Sequence, residues 1–413
     1  MNEGDWLWAT NLWPGLSKKT ETGDIRFIMQ RRQFVSLTSG ILAASVAPAF
    51  ISSAAAQEVP GLNAKSVTIG CSAALSGPLI SFGTDIQQGA GAAFAQINAQ
   101  GGIHGRGVQL HMVDDAYVPD RTLTNVKKML GDGAALALLS CVGTPNNTAI
   151  LPLVDEAGIP YVAPITGASS LRKGSRNIFH VRASYTDEVQ RLIKRLAGMG
   201  LKGIGVIYQD NGYGREAQAD AVRTLESLGM KPAVLASVAT DGANLNEVLG
   251  QVSAARPTAV LLATAGAVSV DLVRGLKKQA PGVLMAGLSV TMPGSALAKL
   301  GDDGSGLALT MIVPDPYRPR IQLVRDYQTA MRAKGHNEFS QGSLEAYVNA
   351  RVLAEGLDRA GKDPSPAKLR TALASIKQWD LGGFTVDYSG HAPYVGSRFI
   401  DLGVLSGSGR FLA

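Results

Sequence analysis

From residue 67 onward the chain alternates short apolar runs with longer amphipathic ones, breaks near Arg182, and then starts the same alternation again. That rhythm leaves few architectures open, because β-prone runs separated by helical stretches bury themselves as parallel strands joined by crossover helices. The first series predicts strand 67–71, then a helix whose Ile86, Ala90, Ala93, Phe94 and Ile97 share one face, closed by Gly101-Gly102. Strand 108–113, helix 122–130, strand 135–139, helix 147–157 and strand 161–163 follow. The second series predicts helices 187–197, 214–228, 244–255 and 269–279 alternating with strands 203–208, 233–238, 259–263 and 284–288. Two doubly wound units in succession imply an α/β protein of two lobes.

Later segments break the alternation. Helices 321–334 and 343–360 come nearly back to back, and 384–412 reads as short strands and turns that cross the lobe junction. We therefore expect 66–181 plus 314–383 to form lobe 1 and 183–311 plus 384–413 to form lobe 2. No low-complexity linker separates them. Glycine and alanine are abundant and aromatics only 6% of the chain, a composition suited to helices packed closely on parallel sheets.

The N-terminal segment reads as targeting sequence rather than core. After Met29 come Arg31-Arg32 and Phe34, an apolar stretch to Ile51, and Ala54-Ala55-Ala56, which is the charged, apolar and cleavage order of an export signal. The paired arginines resemble the twin-arginine signal, and the general secretory route accepts the same layout. Ser36, Thr38, Ser39, Gly40, Ser45 and Pro48 interrupt the run, which disfavours a membrane span of about 20 apolar residues. The expectation is an upstream extension over 1–28, a signal over 29–56 cleaved near Ala56, and a periplasmic mature chain without a membrane span.

The formal charge of +6 is carried by basic residues scattered singly, so no nucleic-acid partner is expected. Cys71 and Cys141 both end apolar runs that could be neighbouring strands. An oxidising compartment allows a disulfide between them, whereas folding in the cytoplasm before twin-arginine export disfavours it.

Patterns that carry catalysis are missing from the sequence. Gly287-Leu288-Ser289-Val290-Thr291 lacks the second glycine of a nucleophile elbow. The glycines at 101, 102, 105 and 107 follow a helix and precede a strand, the reverse of a dinucleotide loop. His104 and His111 have no zinc-like companions, and no phosphate loop ends in Gly-Lys-Ser/Thr. We expect no enzyme, no cofactor and no metal.

Loops at the carboxyl ends of strands are where open α/β sheets bind ligands. Here they hold Ser76-Gly77, Gly143-Thr144 and Thr166-Gly167, each a hydroxyl beside a glycine ahead of a helix. Such loops suit a carboxylate or another small polar group, although helix capping uses the same residues. Tyr185, just past Arg182, and Tyr213, in the loop after strand 203–208, could line a cleft from the second unit.

The spaced set Leu75-Ser76-Gly77-Pro78, Phe82-Gly83, Ile97-Asn98-Ala99-Gln100-Gly101-Gly102-Ile103-His104-Gly105 and Asp114-Asp115-Ala116 resembles the leucine/isoleucine/valine-binding protein family. Thr166-Gly167-Ala168 and Gln209-Asp210-Asn211-Gly212-Tyr213-Gly214 extend the resemblance over nearly the whole chain beyond residue 56. It implies a type I periplasmic binding fold: two lobes joined by three crossovers and closing on a hinge. It also implies a monomer serving an ABC permease with two membrane subunits and two ATPases. The ligand's carboxylate would be held by Val142, Gly143 and Thr144 and by Ile165, Thr166 and Gly167, with Phe82 covering it and Tyr213 closing from lobe 2.

The departures bear on the ligand. Ser289 stands where amino-acid receptors of this family carry an acid for the ammonium group, Ala265 where they carry a tyrosine, and Val142 where they carry a serine, with Thr144 a possible substitute. An unpaired ammonium in a closed cleft costs on the order of several kcal/mol. The resemblance therefore implies capture of an amino acid or a small carboxylate, amide or aromatic acid for uptake. The alternative is a ligand-sensing receptor of the same fold that feeds a regulatory partner.

Overall fold

The computed structural model describes residues 59–412, so the extension expected over 1–28 and the signal expected over 29–56 lie outside the described residues. The first run of elements is β1 (Ser66–Ala73), α1 (Ile80–Ala99), β2 (Gly107–Asp114), α2 (Pro119–Gly131), β3 (Ala137–Leu139), α3 (Thr144–Ala157), β4 (Tyr161–Val162) and β5 (Ile178–His180). The second is α4 (Tyr185–Gly198), β6 (Ile204–Gln209), α5 (Gly212–Ser227), β7 (Leu235–Val238), α6 (Leu245–Ala255), β8 (Ala259–Ala263), α7 (Ala267–Gln279), β9 (Leu284–Gly287), α8 (Gly294–Leu300) and β10 (Ala308–Met311). The chain then returns through α9 (Gln322–Ala333), α10 (Gln341–Ala360), α11 (Pro366–Ala374), β11 (Trp379–Asp380), β12 (Thr385–Val386), β13 (Tyr394–Val395) and β14 (Asp401–Val404).

Two six-stranded sheets result, ordered β13-β5-β4-β3-β1-β2 and β14-β10-β9-β8-β6-β7. Every pairing in the first is parallel, and in the second only β10 with β14 is antiparallel. Parallel strands covered by helices on both faces should be apolar throughout. The central strands agree, with all five residues of β8 buried and β1 buried at every position but one. The chain passes between the sheets three times, at 181–184, 312–321 and 396–400. This is the two-lobed, three-crossover architecture expected from the sequence.

Local chemistry sets the helix starts. Ser184 accepts from Asp187 N–H at the head of α4, Asn211 from Gly214 N–H at α5, and Ser340 and Ser343 form a reciprocal cap on α10. α1 and α10 lie so close that a Cβ on Gly89 would sit 1.9 Å from the Ser343 carbonyl oxygen. α9 and α10 thus return to the first lobe.

The tail divides differently from the expectation that 384–413 belongs to lobe 2. β13 pairs with β5 and joins the first sheet, and only β14 joins the second. Aromatic packing is the reason: Tyr394 stacks on Phe179 at 4.8 Å, and Tyr388 meets the same ring edge-on at 5.4 Å. β5, α8, β10 and α11 were not anticipated. β5 is three residues and α8 seven, too short for periodicity to register.

Cys71, on β1, and Cys141, just past the end of the neighbouring β3, are free, fully buried thiols, with Cys141 Sγ accepting from Ser72 N–H at 3.4 Å. No helix among the described residues is long and apolar enough to cross a membrane.

Candidate functional site

Because β1 to β4 run parallel, their carboxyl ends open on one edge. Past β2, β3 and β4 the backbone turns sharply through left-handed residues that are not glycine: Ala116 and Tyr117 (φ 47° and 64°), Ser140 (φ 53°) and Ala163 (φ 51°). Such conformations cost of order 1–3 kcal/mol each and persist where packing over-determines them.

The first loop is shaped by Asp114. Its Oδ1 accepts from the N–H groups of Leu75 (2.8 Å) and Ser76 (3.2 Å), and its Oδ2 accepts from Ser76 Oγ at 2.7 Å. The Ser76 hydroxyl, followed by the backbone donors, pulls the Asp114 carboxyl down to about 2. The hydroxyl proposed from sequence to face a ligand is thus spent on the loop itself. Phe82 follows in the first turn of α1 and is buried.

The second and third loops lie side by side. Val142 and Ile165 form a parallel bridge, and Thr144 Oγ1 bonds Thr166 Oγ1 at 2.8 Å. Their glycines make room for rings: a Cβ on Gly143 would lie 2.2 Å from Tyr117 Cε2, and one on Gly167 would lie 2.8 Å from Tyr185 Cδ1. Tyr185 N–H also donates to the Gly167 carbonyl at 2.9 Å. From the second lobe Tyr213, in the first turn of α5, brings its ring to 4.8 Å from Tyr185, tilted 59°. Burial pushes both phenols up, and the Tyr213 hydroxyl has no hydrogen-bond partner in the protein.

The lobes meet around these groups. Ala267 N–H donates to the Pro78 carbonyl (3.2 Å), Gly294 N–H to Asp85 Oδ2 (3.1 Å) and Ser170 Oγ to Glu216 Oε2 (2.9 Å), while Ser81 Oγ bonds Ser295 Oγ. The cleft is closed.

At its base, in the first crossover, lies Arg182, 2% exposed. Its guanidinium sits 3.7 Å from Glu188 Oε1 of lobe 2 and 3.5 Å from Glu345 Oε1 of lobe 1, and lies 5.4 Å from the centre of the Tyr185 ring. It also donates to Ser289 Oγ. Glu188 Oε2 accepts from Ser289 N–H at 2.8 Å and from Thr310 Oγ1. Burial pushes the Glu345 carboxyl up, with Arg182 opposing the shift.

The structure therefore brings Thr144, Thr166, Gly143, Gly167, Tyr185 and Tyr213 together at the seam. Val142 and Ile165 serve through their backbones, and Ser289 is tied to Arg182 and Glu188. Tyr117, Glu188, Glu345 and Arg182 itself escaped sequence reasoning as site residues. A signal for Glu188 existed, since it falls four residues before Leu192 on the apolar face of α4, where an acid has no business unless paired.

Comparison with known proteins identifies the fold and the family. Residues 66–394 match the family described as periplasmic binding protein. The Leu/Ile/Val-binding protein homolog 3 of Brucella melitensis is 25% identical over 326 residues, 78% of this chain and 87% of the relative. A leucine-, isoleucine-, valine-, threonine- and alanine-binding protein of Pseudomonas aeruginosa is 23% identical over 335 residues, 79% and 87% of the two chains. The crystal structure of a substrate-binding periplasmic protein from Ralstonia solanacearum superposes with a TM-score of 0.79 at 32% identity, covering 84% of this chain and 99% of that one. With this fold and these relatives the protein binds a solute rather than transforming one, and it belongs to the periplasmic binding protein family, of the leucine/isoleucine/valine-binding type.

Proposed function

We propose that the protein is exported to the periplasm, where it captures one small solute between its lobes and delivers it to an ABC-type uptake permease. The observation that carries this reading is a set of buried polar atoms around the seam that form no hydrogen bond within the protein: the Tyr213 hydroxyl, Gln209 Nε2 and Arg182 Nε. Buried polar groups are nearly always paired, so a cluster of unpaired ones beside two aromatic rings points to a polar solute as the missing partner.

The donors on the first lobe suit a carboxylate. The backbone N–H groups of Thr144 and Gly167 and the hydroxyls of Thr144 and Thr166 would hold it, with Phe82, Tyr185 and Tyr213 packed around the rest, while the Gly143 and Thr166 N–H groups bond the Ile165 and Pro164 carbonyls and shape the loops. The acid missing at Ser289 has a replacement close by, because Glu188 reaches the Ser289 N–H from α4. That restores an apolar α-amino acid to the candidates, in keeping with relatives named for binding leucine, isoleucine and valine.

Isothermal titration with L-leucine, L-valine and benzoate tests the reading. One of them should bind at a single site without being consumed. If none binds at millimolar concentration and none raises the melting temperature, the solute assignment is wrong.

A further inference from the structure

Besides Glu188 and Glu345, another buried carboxylate sits on the lobe seam. Asp85, on α1 of lobe 1, is 4% exposed. Its Oδ1 accepts from Ser340 Oγ at 2.7 Å within the same lobe, and its Oδ2 accepts from Gly294 N–H of lobe 2 at 3.1 Å. No cation pairs with it at either contact.

We propose that Asp85 is a positioning residue for lobe closure that takes up a proton as the lobes meet, so that the closed form is favoured as pH falls. This rests on the reading of the protein as a receptor whose lobes open and close. Parting the lobes removes Gly294 from Asp85 and admits water, while Ser340 stays. Closing them strips that water away and returns one backbone N–H. A protonated carboxyl fits the closed seam without loss, because its carbonyl oxygen accepts from Gly294 N–H while its O–H donates to Ser340 Oγ.

The surrounding charges do not offset the cost. Glu345 on α10 and Glu338 on the rim of the adjoining cavity of about 460 Å³ are both acidic, and Tyr317 and Tyr327 add phenols. Arg410, also on that rim, lies over the Tyr317 ring at 4.7 Å. From α8 come the Gly294 N–H to Asp85 and the Ser295 hydroxyl to Ser81, and the one charged residue of that helix, Lys299 in its last turn, is exposed. Burial accordingly pushes the Asp85 carboxyl up to about 6, against the hydrogen bonds from Ser340 and Gly294, from an ordinary value of 3.8. A group raised in the closed form adds its full share below its ordinary value and loses it as pH rises through about 6. The closed-to-open ratio then gains about tenfold between pH 7 and pH 5.

The test needs no solute, so it fails or succeeds apart from the solute assignment. Spin labels on Lys173→Cys and Arg215→Cys, exposed positions on opposite lobes, report the interlobe distance by double electron–electron resonance. The native thiols are buried and escape labelling. We expect the closed-to-open ratio to rise at least about tenfold from pH 7 to pH 5, and Glu345→Gln to keep that rise. Asp85→Asn, which preserves both hydrogen bonds without charge, should lose about tenfold of the pH response and close at pH 7 as wild type does at pH 5. A purely structural role would shift the ratio equally at both pH values. A ratio unchanged in wild type, or a pH response undiminished in Asp85→Asn, overturns the proposal.

Discussion

Replacing Arg182 with methionine removes the cation that pairs with both Glu188 and Glu345. The side chains of Arg182 and Glu188 are 1% and 0% exposed, and that of Glu345 is 9% exposed. Methionine fills much of the same volume, so the loss is electrostatic rather than a cavity. Breaking a buried pair by removing one partner costs roughly 3–5 kcal/mol, because the remaining charge is stranded. Glu188 keeps the Ser289 N–H and the Thr310 hydroxyl, whereas Glu345 loses its ion-pair partner and keeps acidic neighbours. About 4 kcal/mol raises the unfolding equilibrium constant roughly a thousandfold. Urea denaturation at pH 7 would show this as a midpoint more than about 1 M lower, with a slope of order 3 kcal/mol/M. Two companion measurements isolate the cause. Lowering the pH toward 5 should restore part of the loss, since Glu345 is already pushed up and protonates early. Adding Glu188→Gln and Glu345→Gln should restore most of it, because a neutral node strands no charge. A single variant that loses less than about 1 kcal/mol, or a triple variant no more stable than the single, would refute the charge argument.

Phe82→Ala and Tyr213→Ala should each weaken solute binding at least about tenfold by titration while leaving the far-ultraviolet dichroism intact; unchanged affinity in both would mean that the cleft has been misplaced. Gly143→Ala should destabilise by about 1–3 kcal/mol or more in the same urea assay, because φ there is 96° and the added Cβ meets the Tyr117 ring. Thr144→Val removes the hydroxyl bonded to Thr166 and should cost about 1 kcal/mol, with a smaller effect ruling out a supporting role for that bond. Thiol titration in denaturant should return two free thiols per chain, and a count of zero would contradict the reduced pair.

Much of the fold was legible because each lobe repeats one rule: a buried strand is apolar on both faces, and its crossover helix is apolar on one. Val206, Leu261 and Ala286 announce strands, and Leu192, Ile193 and Leu196 announce a helix, before any contact is known. The tail was misassigned because the pairing of Tyr394 with Phe179 joins residues more than two hundred positions apart, and nothing local encodes it. The site split along the same line. Loops with glycine and threonine at strand ends could be read directly, as could Tyr185 and Tyr213. The use of Ser76 could not, because only the fold brings Asp114 to it across two neighbouring strands. Ser289 stood where an acid was expected, and only the fold brings the Glu188 carboxylate to its N–H from a helix a hundred residues earlier.

The division of the tail between the two sheets has a consequence for biosynthesis. The first sheet receives its edge strand only at Tyr394–Val395 and the second only at Asp401–Val404. Neither lobe is complete until nearly the whole chain has left the ribosome, so the lobes cannot mature in turn as beads on a string do. A gene cut at the Arg182 crossover would not yield two self-sufficient halves, because the first would lack α9, α10 and β13 and the second would carry those elements with no first sheet to pack on. A partly emerged chain therefore presents two unfinished sheets at once rather than one finished lobe followed by another.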